Sequence, residues 1–353
     1  MRVLLVAEQL ARPAPGGIGT YVRGLVAGLD GGAEVSLVGG RGLAAVDGAE
    51  MVRSKLPGAV LTRAWDHGLV PAPRTGFDVV HGASLAAPPS TAAPLAVAVH
   101  DLAWRALPEA FPPRGRRWHD AALRRAVERA DALVSPTSST ADRLIEAGAR
   151  RVEVPVPMYG CDHLPPADDA AAAEVLAGLG VTGPYLLTVG TREPRKNLPR
   201  LLEAYGRARA RLPEPWPLVV VGPVGWGGVL LGRGGPPLPE GVVLAGEVQG
   251  GVLAALYAGA RCLAFVPLLE GFGLPAVEAM AAGAPVVASP MPSTGEAAWV
   301  VDPLDIGAIA TALVGAATDD RRRAELAEAG RDRARPFTWA AAAAAHLDLW
   351  KSL

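Results

Sequence analysis

Short apolar runs alternate with helical stretches along this chain, and that alternation is the feature that most restricts its fold. Runs that are apolar throughout are typical of strands buried on both faces, and helices between them indicate parallel sheets covered by helices. The strands predicted in the first half are Val3–Ala7, Val35–Val38, Val79–His81, Leu95–His100 and Ala132–Pro136. The helices predicted there are Tyr21–Leu29, Arg116–Arg129 and Thr140–Ala147.

The alternation starts again after a proline-rich segment, Pro155–Asp169, which is typical of a linker. The strands predicted beyond it are Tyr185–Val189, Leu218–Val221, Val242–Ala245, Cys262–Val266 and Pro285–Ala288. The helices predicted there are Leu198–Arg211, Val252–Ala258 and Pro275–Ala282, and a last helical pattern is Trp339–Leu349.

These elements predict an α/β protein with two doubly wound, Rossmann-like domains. We place the domains at residues 1–165 and 180–335, and expect the C-terminal helix, within residues 336–353, to pack back on the first domain. Parallel sheets bind ligands beyond the carboxyl ends of their strands. We therefore expect both sheets to face a central cleft that holds the site.

The composition restricts the compartment and the class of partner. The formal net charge is −1, so no overall positive field attracts nucleic acid. Cys161 and Cys262 lie far apart in sequence, which argues against a disulfide framework or a cysteine metal site and favours the cytoplasm. The apolar run that ends before Glu8 is too short for a signal peptide, and no run of roughly 18 apolar residues predicts a membrane span. Peripheral contact with the inner membrane stays compatible with these features.

A glycine-rich segment, Pro15–Thr20, follows the first predicted strand and precedes a helix. Gly16 and Gly17 would let a ligand approach the backbone, and the helix start offers N–H groups to an anion. A plain strand-to-helix turn explains the segment equally well. The spacing is not that of the dinucleotide motif G-x-G-x-x-G, which weakens a dehydrogenase interpretation.

A cluster of cations, Arg192, Arg195 and Lys196, lies in the TREPRKN loop after the strand that ends near Gly190. Such clusters are usually solvated surface charge. Here they follow the carboxyl end of a predicted strand, where a departing diphosphate would need positive charge. Arginine supplies paired donors and lysine a compact charge for its oxygens.

The most informative segment is EGFGLPAVEAMA, which begins at Glu270 after a predicted strand. The Gly271–Gly273 turn brings backbone N–H groups close to a ligand, and Pro275 starts a helix. Glu278 falls about one turn inside that helix. Two carboxylates eight residues apart can bind different hydroxyls of one nucleotide sugar, although a solvated glutamate and a helix-capping charge would explain the same pattern.

Four motifs together resemble the large family of retaining glycosyltransferases built on two Rossmann-like domains, the GT-B group 1 type. They are GGIGTY, VHDL followed by PE, TREPRKN, and EGFGLP followed by EAMA. The last motif is highly specific, and the match extends over nearly the whole chain. The family includes bacterial mannosyl-, rhamnosyl- and glucosyltransferases, so the resemblance implies a hexosyltransferase that uses a nucleotide diphosphate sugar. Because loops of the TREPRKN type often accompany GDP-mannose, we expect a mannosyltransferase.

The resemblance implies a role for each matching residue. Lys196 and Arg195 would hold the diphosphate, with backbone N–H groups of the Gly16–Gly17 turn. Glu270 and the backbone of Gly271, Phe272, Gly273 and Leu274 would hold the donor sugar and phosphates. Glu278 would bind the ribose, Val248 would lie near the base, and His100 would lie at the reacting centre. The catalytic candidates are His100, Lys196 and Glu270.

Two features weaken parts of this assignment. A histidine that ends a strand is often a structural boundary residue. We keep this alternative for His100 and favour it for His81. Asp101 is better explained as a cap of the following turn than as a partner of His100. The segment Ser289–Glu296 is shorter than in the family, with Glu296 as its only acidic residue, which puts the donor-phosphate geometry there in doubt.

No D-x-D pair, the usual metal site of other glycosyltransferases, occurs in the sequence. We expect fixed side-chain cations to replace a metal, and no cofactor beyond the nucleotide sugar. The resemblance implies retention: the acceptor hydroxyl attacks on the face that the nucleotide leaves, and Glu270 is not a covalent nucleophile.

The acceptor could be a glycan, a lipid-linked sugar or a small molecule. It would line the first domain near Trp104, Arg105 and the arginine-rich Arg114–Arg129, although an ordinary solvated helix explains that stretch too. Two other functions remain open. A nucleotide-sugar epimerase has the same architecture and needs no acceptor, and a catalytically silent sugar-nucleotide-binding or scaffold protein would bind without turnover.

Overall fold

A computed structural model describes residues 1–12, 15–73, 76–89, 91–227 and 237–353. The chain forms two compact units. The first comprises Met1–His163 together with Pro336–Leu353, and the second comprises Leu164–Arg335. In the described part of the chain, no helix is both long enough and apolar enough to cross a bilayer.

The first unit is a parallel sheet with helices between its strands. Its strand order is β3-β2-β1-β4-β5-β6-β7, which reverses direction at β1 as in a doubly wound sheet. Its elements are β1 (Arg2–Val6), α1 (Gly16–Leu29), β2 (Glu34–Gly39), β3 (Ala49–Arg53), α2 (Gly58–Asp66), β4 (Val79–Gly82), β5 (Leu95–Ala98), α3 (Ala103–Ala106), α4 (Pro113–Arg129), β6 (Ala132–Val134), α5 (Ser138–Glu146) and β7 (Val152–Glu153).

The second unit repeats this plan with the strand order β10-β9-β8-β11-β12-β13. Its elements are α6 (Asp169–Gly178), β8 (Leu186–Val189), α7 (Leu198–Arg209), β9 (Leu218–Val221), β10 (Val242–Gly246), α8 (Gly250–Gly259), β11 (Cys262–Phe265), α9 (Leu274–Ala281), β12 (Val286–Ala288), β13 (Trp299–Val300), α10 (Ile306–Thr318) and α11 (Asp320–Ala334). The strands β8, β9, β11 and β12 are almost completely buried, so their apolar composition follows from burial on both faces.

The last helix, α12 (Trp339–Lys351), belongs to the first unit and packs along α1. Three glycines make room for Trp339, its first residue. A Cβ on Gly24 would lie 2.1 Å from the Trp339 ring, one on Gly28 would lie 2.1 Å from the Trp339 carbonyl oxygen, and one on Gly160 would lie 2.3 Å from its backbone nitrogen. Any larger residue would overlap with Trp339, so these glycines allow the close packing of α12.

All ten predicted strands are present, and two in the first half are shorter than expected. β5 ends at Ala98 and β6 at Val134, so His100 lies in a loop rather than within a strand. The strands that the sequence failed to predict, β3, β7 and β13, all lie at the edges of the two sheets. Edge strands are partly exposed and short, and their mixed composition hides them.

The glycine-rich segment was wrongly predicted as a turn that precedes the helix. The helix α1 begins at Gly16, so the segment up to Thr20 forms its first turn. Gly16 has a φ of 59°, in the left-handed region, which glycine adopts without strain. This conformation lets the chain turn sharply into the helix.

Candidate functional site

Loops that follow neighbouring strands of the second unit carry most of the predicted site residues. The loop after β8 holds Arg195 and Lys196, and the loop after β11 holds Glu270. The strands β8 and β11 are parallel neighbours, with Cys262 paired to Leu186 and Leu263 to Leu187. Their carboxyl ends therefore meet at one edge of the sheet, which is where such sheets bind ligands.

Four charged side chains form one ion-pair cluster in these loops: Glu193, Arg195, Lys196 and Glu270. The Arg195 guanidinium lies 2.7 Å from Glu193 Oε1 and 2.8 Å from Glu270 Oε1. Lys196 Nζ lies 2.5 Å from Glu270 Oε2 and 5.1 Å from the centre of the Phe265 ring. Two cations and two carboxylates give the cluster no formal net charge, and its most exposed member, Lys196, is 17% exposed.

The two carboxylates of this cluster differ in the net shift of their pKa, which is lowered for Glu270 and raised for Glu193. Burial favours the neutral form of Glu270, but the charges of Arg195 and Lys196 and their hydrogen bonds outweigh it and lower the pKa of Glu270 to about 2. Burial raises the pKa of Glu193, although Arg195 and Lys196 oppose the shift. Glu270 is therefore held as a carboxylate by both cations at neutral pH.

A buried asparagine fixes the turn that presents these cations. Asn197 is 2% exposed and has a φ of 59° in the left-handed region, which asparagine adopts more readily than most residues. Its Nδ2 donates to the carbonyl oxygen of Val266 at 3.0 Å and to that of Pro303 at 2.8 Å. The backbone N–H of Leu268 also donates to the Arg195 carbonyl oxygen at 2.9 Å. The bonds that involve Val266 and Leu268 join the loop after β8 directly to the loop after β11, and the bond to Pro303 joins it to the segment after β13.

The predicted backbone cradle Gly271–Leu274 lies at the start of α9. Gly273 is the residue before the helix and has a φ of 96°, which favours glycine. A Cβ there would lie 2.5 Å from Met291 Sδ and 3.1 Å from Ser293 Oγ, so the loop after β12 packs directly under the turn. The first N–H groups of α9 are thus presented at the same sheet edge as the ion cluster.

Glu278 lies one turn after Leu274 in α9, on the same helix face, and is 8% exposed. The hydroxyl of Tyr257, from α8, donates to Glu278 Oε2 at 2.8 Å. Burial raises the pKa of Glu278 to about 7, and the hydrogen bond from Tyr257 lowers it in part. This carboxyl group therefore changes its charge near neutral pH, whereas Glu270 does not.

His100 lies in the first unit with both ring nitrogens engaged. Nε2 lies 2.7 Å from the Ala83 carbonyl oxygen, which can only accept, so Nε2 carries the proton. Nδ1 then accepts from the Tyr159 hydroxyl at 2.6 Å. Burial lowers the pKa of His100, which favours this neutral form. A role in proton transfer would first require one of these hydrogen bonds to break.

His81 belongs to a separate, fully buried hydrogen-bond chain of the first unit. The indole of Trp350 donates to His81 Nδ1 at 3.2 Å, so His81 Nε2 carries the proton and donates to the Tyr21 hydroxyl at 2.9 Å. The Tyr21 hydroxyl donates in turn to His346 Nε2 at 2.7 Å. His346 Nδ1 completes the chain by donating to the Ala342 carbonyl oxygen at 2.7 Å.

The other predicted residues are placed as follows. Gly16 and Gly17 are exposed at the start of α1 in the first unit, and Val248 is half-buried between β10 and α8 in the second. Glu296 is exposed in a short helical turn of the loop after β12. Trp104, expected near the acceptor, is 4% exposed and donates to Asp120 at 3.0 Å, so its place is in the core rather than on a surface that a substrate could reach.

Sequence reasoning missed three residues of the second unit: Glu193, Asn197 and Tyr257. Glu193 and Asn197 lie within the TREPRKN motif, in which only the cations carry a chemical signal for phosphate binding. Their near-complete burial is the signal that distinguishes them, and no sequence pattern shows it. Tyr257 looks like an ordinary apolar position of α8 until its hydroxyl is traced to Glu278.

Two family models match this chain. Residues 16–160 match the glycosyl transferase 4-like domain, and residues 183–319 match the glycosyl transferases group 1 domain. Together they cover most of both units. The chain belongs to the group 1 glycosyltransferases. The resemblance seen in the sequence motifs is thus confirmed.

Curated relatives of this family include enzymes with different substrates. O-antigen chain mannosyltransferase B of Escherichia coli is 32% identical over 256 residues, which is 68% of this chain and 65% of the relative. D-inositol 3-phosphate glycosyltransferase 2 of Catenulispora acidiphila is 32% identical over 248 residues, 64% of this chain and 56% of the relative. The chain thus matches somewhat less than two thirds of the length of these relatives.

Solved structures share the fold over the full chain. Sucrose-phosphate synthase from Thermosynechococcus elongatus has a TM-score of 0.73 at 20% identity, over 100% of this chain and 98% of that one. Anabaena HepE, in complex with UDP and glucose, has a TM-score of 0.71 at 16% identity over 100% of both chains. The predicted fold class, two Rossmann-like domains of the GT-B type, is confirmed.

Proposed function

We propose that this chain is a retaining hexosyltransferase that moves a sugar from a nucleotide diphosphate donor to an acceptor hydroxyl. The observation that carries the proposal is the joining of Arg195, Lys196 and Glu270 at the carboxyl ends of β8 and β11. Cations at this edge suit a diphosphate, and a carboxylate held ionised beside them suits the hydroxyls of the donor sugar.

The donor would bind with its phosphates at Lys196 and Arg195, next to the N–H groups that start α9. A departing nucleoside diphosphate gains negative charge, and cations fixed by buried partners need little reorganisation to stabilise it. Glu270 would accept from sugar hydroxyls, and Glu278 from the ribose. In this scheme the side-chain cations stand where other glycosyltransferases use a metal, so we expect activity without added metal.

Retention follows if the acceptor hydroxyl attacks on the face from which the diphosphate leaves. A phosphate oxygen takes the proton of that hydroxyl, the bond from the anomeric carbon to the phosphate oxygen breaks, and a new bond to the acceptor oxygen forms. The role that we assign to His100, at the reacting centre, and to Gly16 and Gly17, at the phosphates, depends on the family resemblance. With both ring nitrogens of His100 bonded, we expect it to act by position rather than by proton transfer.

For the donor we propose GDP-mannose, because loops of the TREPRKN type often accompany GDP-mannose and a matched relative is an O-antigen chain mannosyltransferase. The acceptor would be a glycan, a lipid-linked sugar or a small molecule, and we place the enzyme in the cytoplasm, with a peripheral membrane contact if the acceptor is lipid-linked. Val248, between β10 and α8, would lie near the base.

A thermal-shift screen of GDP, UDP, ADP and dTDP sugars tests the donor. A ligand at about 100 times its dissociation constant stabilises the folded state by ~2.7 kcal/mol, which is readily measured. We expect GDP-mannose to give the largest shift, and no shift with any donor would contradict the proposal.

Incubation with the identified donor, first alone and then with glycan and inositol-phosphate acceptors, tests the reaction. A transferase gives at most slow hydrolysis without acceptor and an α-linked product with it. Conversion of the donor sugar to its epimer in the absence of acceptor would show an epimerase instead. Tight donor binding without any turnover would show a silent binding protein.

A further inference from the structure

The hydrogen bond between Tyr257 and Glu278 assigns a role to a side chain that does not itself belong to the proposed donor site. Tyr257 is completely buried in α8, and its hydroxyl donates to Glu278 Oε2 at 2.8 Å. A glutamate side chain has three rotatable bonds, whereas a buried tyrosine ring is fixed by its packing. The tyrosine therefore sets the orientation of the carboxylate, and not the reverse.

The helix that carries Tyr257 is itself held in place. The hydroxyl of Tyr185, immediately before β8, donates to the Leu256 carbonyl oxygen at 2.8 Å, one residue before Tyr257. A Cβ on Gly259 would lie 2.8 Å from that hydroxyl, so α8 sits tightly against Tyr185. Two tyrosines thus act in sequence: Tyr185 fixes the backbone of α8, and Tyr257 reaches from α8 to α9.

An ionised carboxylate accepts about four hydrogen bonds, and a phenol that donates to one oxygen leaves acceptor capacity for others. The two neighbouring hydroxyls of a ribose are donors at fixed spacing, so they need a carboxylate in one defined orientation. Burial also keeps the hydroxyl of Tyr257 protonated, because it raises its pKa well above the usual value. Tyr257 is therefore a permanent donor, and Glu278 stays the acceptor.

We propose that Tyr257 is a positioning residue that orients the Glu278 carboxylate for the two ribose hydroxyls of the nucleotide and so gives the site its preference for ribonucleotides. The inference rests on the proposed function, in which Glu278 binds the donor ribose. It goes further than that function, since it makes recognition of the ribose depend on Tyr257, a side chain in α8 that would not itself contact the nucleotide.

Tyr257→Phe removes the hydroxyl and keeps the ring. Tyr205→Phe is a matched control that removes a buried hydroxyl elsewhere in the second unit, where Tyr205 of α7 donates to the Trp216 carbonyl oxygen at 2.8 Å. Binding of GDP and UDP, and of their 2′,3′-dideoxy counterparts, is measured by calorimetry for the wild type, both variants and Glu278→Gln. We expect Tyr257→Phe to weaken the ribonucleotides about tenfold, on the scale of a hydrogen bond to a charged group, and to leave the dideoxynucleotides unchanged. Tyr205→Phe should keep the preference for ribose. In turnover assays Tyr257→Phe should raise the donor KM and leave kcat within about twofold.

The outcomes separate the two proposals. Loss of ribose preference in Glu278→Gln but not in Tyr257→Phe would overturn the role of Tyr257 and leave Glu278 in the donor site. Full ribose preference in Glu278→Gln would remove Glu278 from the donor site and the inference with it. Equal losses in Tyr257→Phe and Tyr205→Phe would show a general effect of removing a buried hydroxyl from this unit, which also overturns the inference. The double variant Tyr257→Phe with Glu278→Gln should bind no more weakly than Glu278→Gln alone.

Discussion

The two units each bury a polar network, and the two networks are built on opposite principles. The first unit joins Trp350, His81, Tyr21 and His346 in a chain of neutral hydrogen bonds in which every proton has one assigned place. The second unit joins two cations and two carboxylates whose charges cancel. Both are largely shielded from solvent, yet only the second contains groups that a charged ligand could recruit.

The difference shows that buried polar groups can stabilise the fold, as in the first unit, or prepare a site for a charged ligand, as in the second. A neutral chain with a fixed direction stabilises one arrangement of α1, β4 and α12, and any added proton breaks it. A charged cluster can exchange one partner for another of the same sign, as when a diphosphate takes the place of Glu270 beside Lys196. Changes at the charged cluster of the second unit should therefore impair turnover, and changes at the neutral chain of the first unit should lower the stability of the protein.

The largest effect is expected from Lys196→Ala in the charged cluster. We expect turnover to fall at least ~100-fold, because one group that stabilises the leaving diphosphate is lost. Initial rates of sugar transfer measure it. The chain has only three lysines, and Lys55→Ala, at an exposed position, is the matched control. Near-normal rates in Lys196→Ala would remove this residue from the mechanism.

Acid should break the neutral chain at His346. Burial lowers the pKa of this histidine to about 4. The unfolded chain, with an ordinary histidine pKa near 6.5, takes up the proton first, so this contribution is complete above about pH 6.5 and is lost as the pH falls to about 4. The loss amounts to about 3 kcal/mol.

The measurement for His346 is the difference in unfolding free energy between wild type and His346→Gln, followed from pH 7.5 to pH 4. Taking this difference cancels the pH dependence contributed by groups remote from His346. One of them is Glu278, whose raised pKa makes the folded protein more stable as the pH falls. The difference should shrink toward low pH. A difference that stays constant with pH would refute the proposed proton arrangement.

Gly24→Ala tests the docking of α12 that supports the neutral chain. The added Cβ would overlap the Trp339 ring at 2.1 Å, so we expect a loss of about 1–3 kcal/mol in unfolding free energy, measured by denaturant titration. Gly206→Ala, in α7, meets no atom within 4 Å and should instead be neutral or stabilising by up to ~1 kcal/mol. Equal effects of both substitutions would argue against the tight packing of Trp339.

The smallest effect concerns the pH dependence of nucleotide binding. Because the pKa of Glu278 is about 7, its ionised fraction falls roughly tenfold between pH 8 and pH 6. Affinity for GDP or UDP should fall by about the same factor, as measured by calorimetry, while Glu278→Gln should bind weakly at both values. Wild-type affinity that rises toward pH 6 would contradict the role of Glu278 as an acceptor.

The sequence predicted the central strands of both sheets because burial on both faces leaves a continuous apolar run. It did not predict β3, whose sequence AEMVR mixes charged and apolar residues at an exposed edge, nor the two-residue strands β7 and β13. The helices α2, α3, α6, α10 and α11 were missed as well. α10 is apolar on nearly all sides and α11 is rich in charge, so neither shows a clear amphipathic period.

The sequence identified those residues of the candidate site that stand out within a single motif. Glu270 and Lys196 stood out because glycines and cations at strand ends are rare patterns with a chemical reason. Their direct ion pair, and the burial of Glu193 behind Arg195, depend on how two loops far apart in sequence meet. Contacts across such separations leave no trace in local composition, which also explains why Tyr257 was overlooked.

The return of α12 to the first unit has a consequence for synthesis of the protein. Trp339, His346 and Trp350 complete the interior of that unit, yet the ribosome makes them only after all of the second unit. At 5–20 residues per second, a nascent first unit would wait roughly 10–30 s with the groove for Trp339 still open. During translation, the half of the molecule that emerges first is thus the last to be finished.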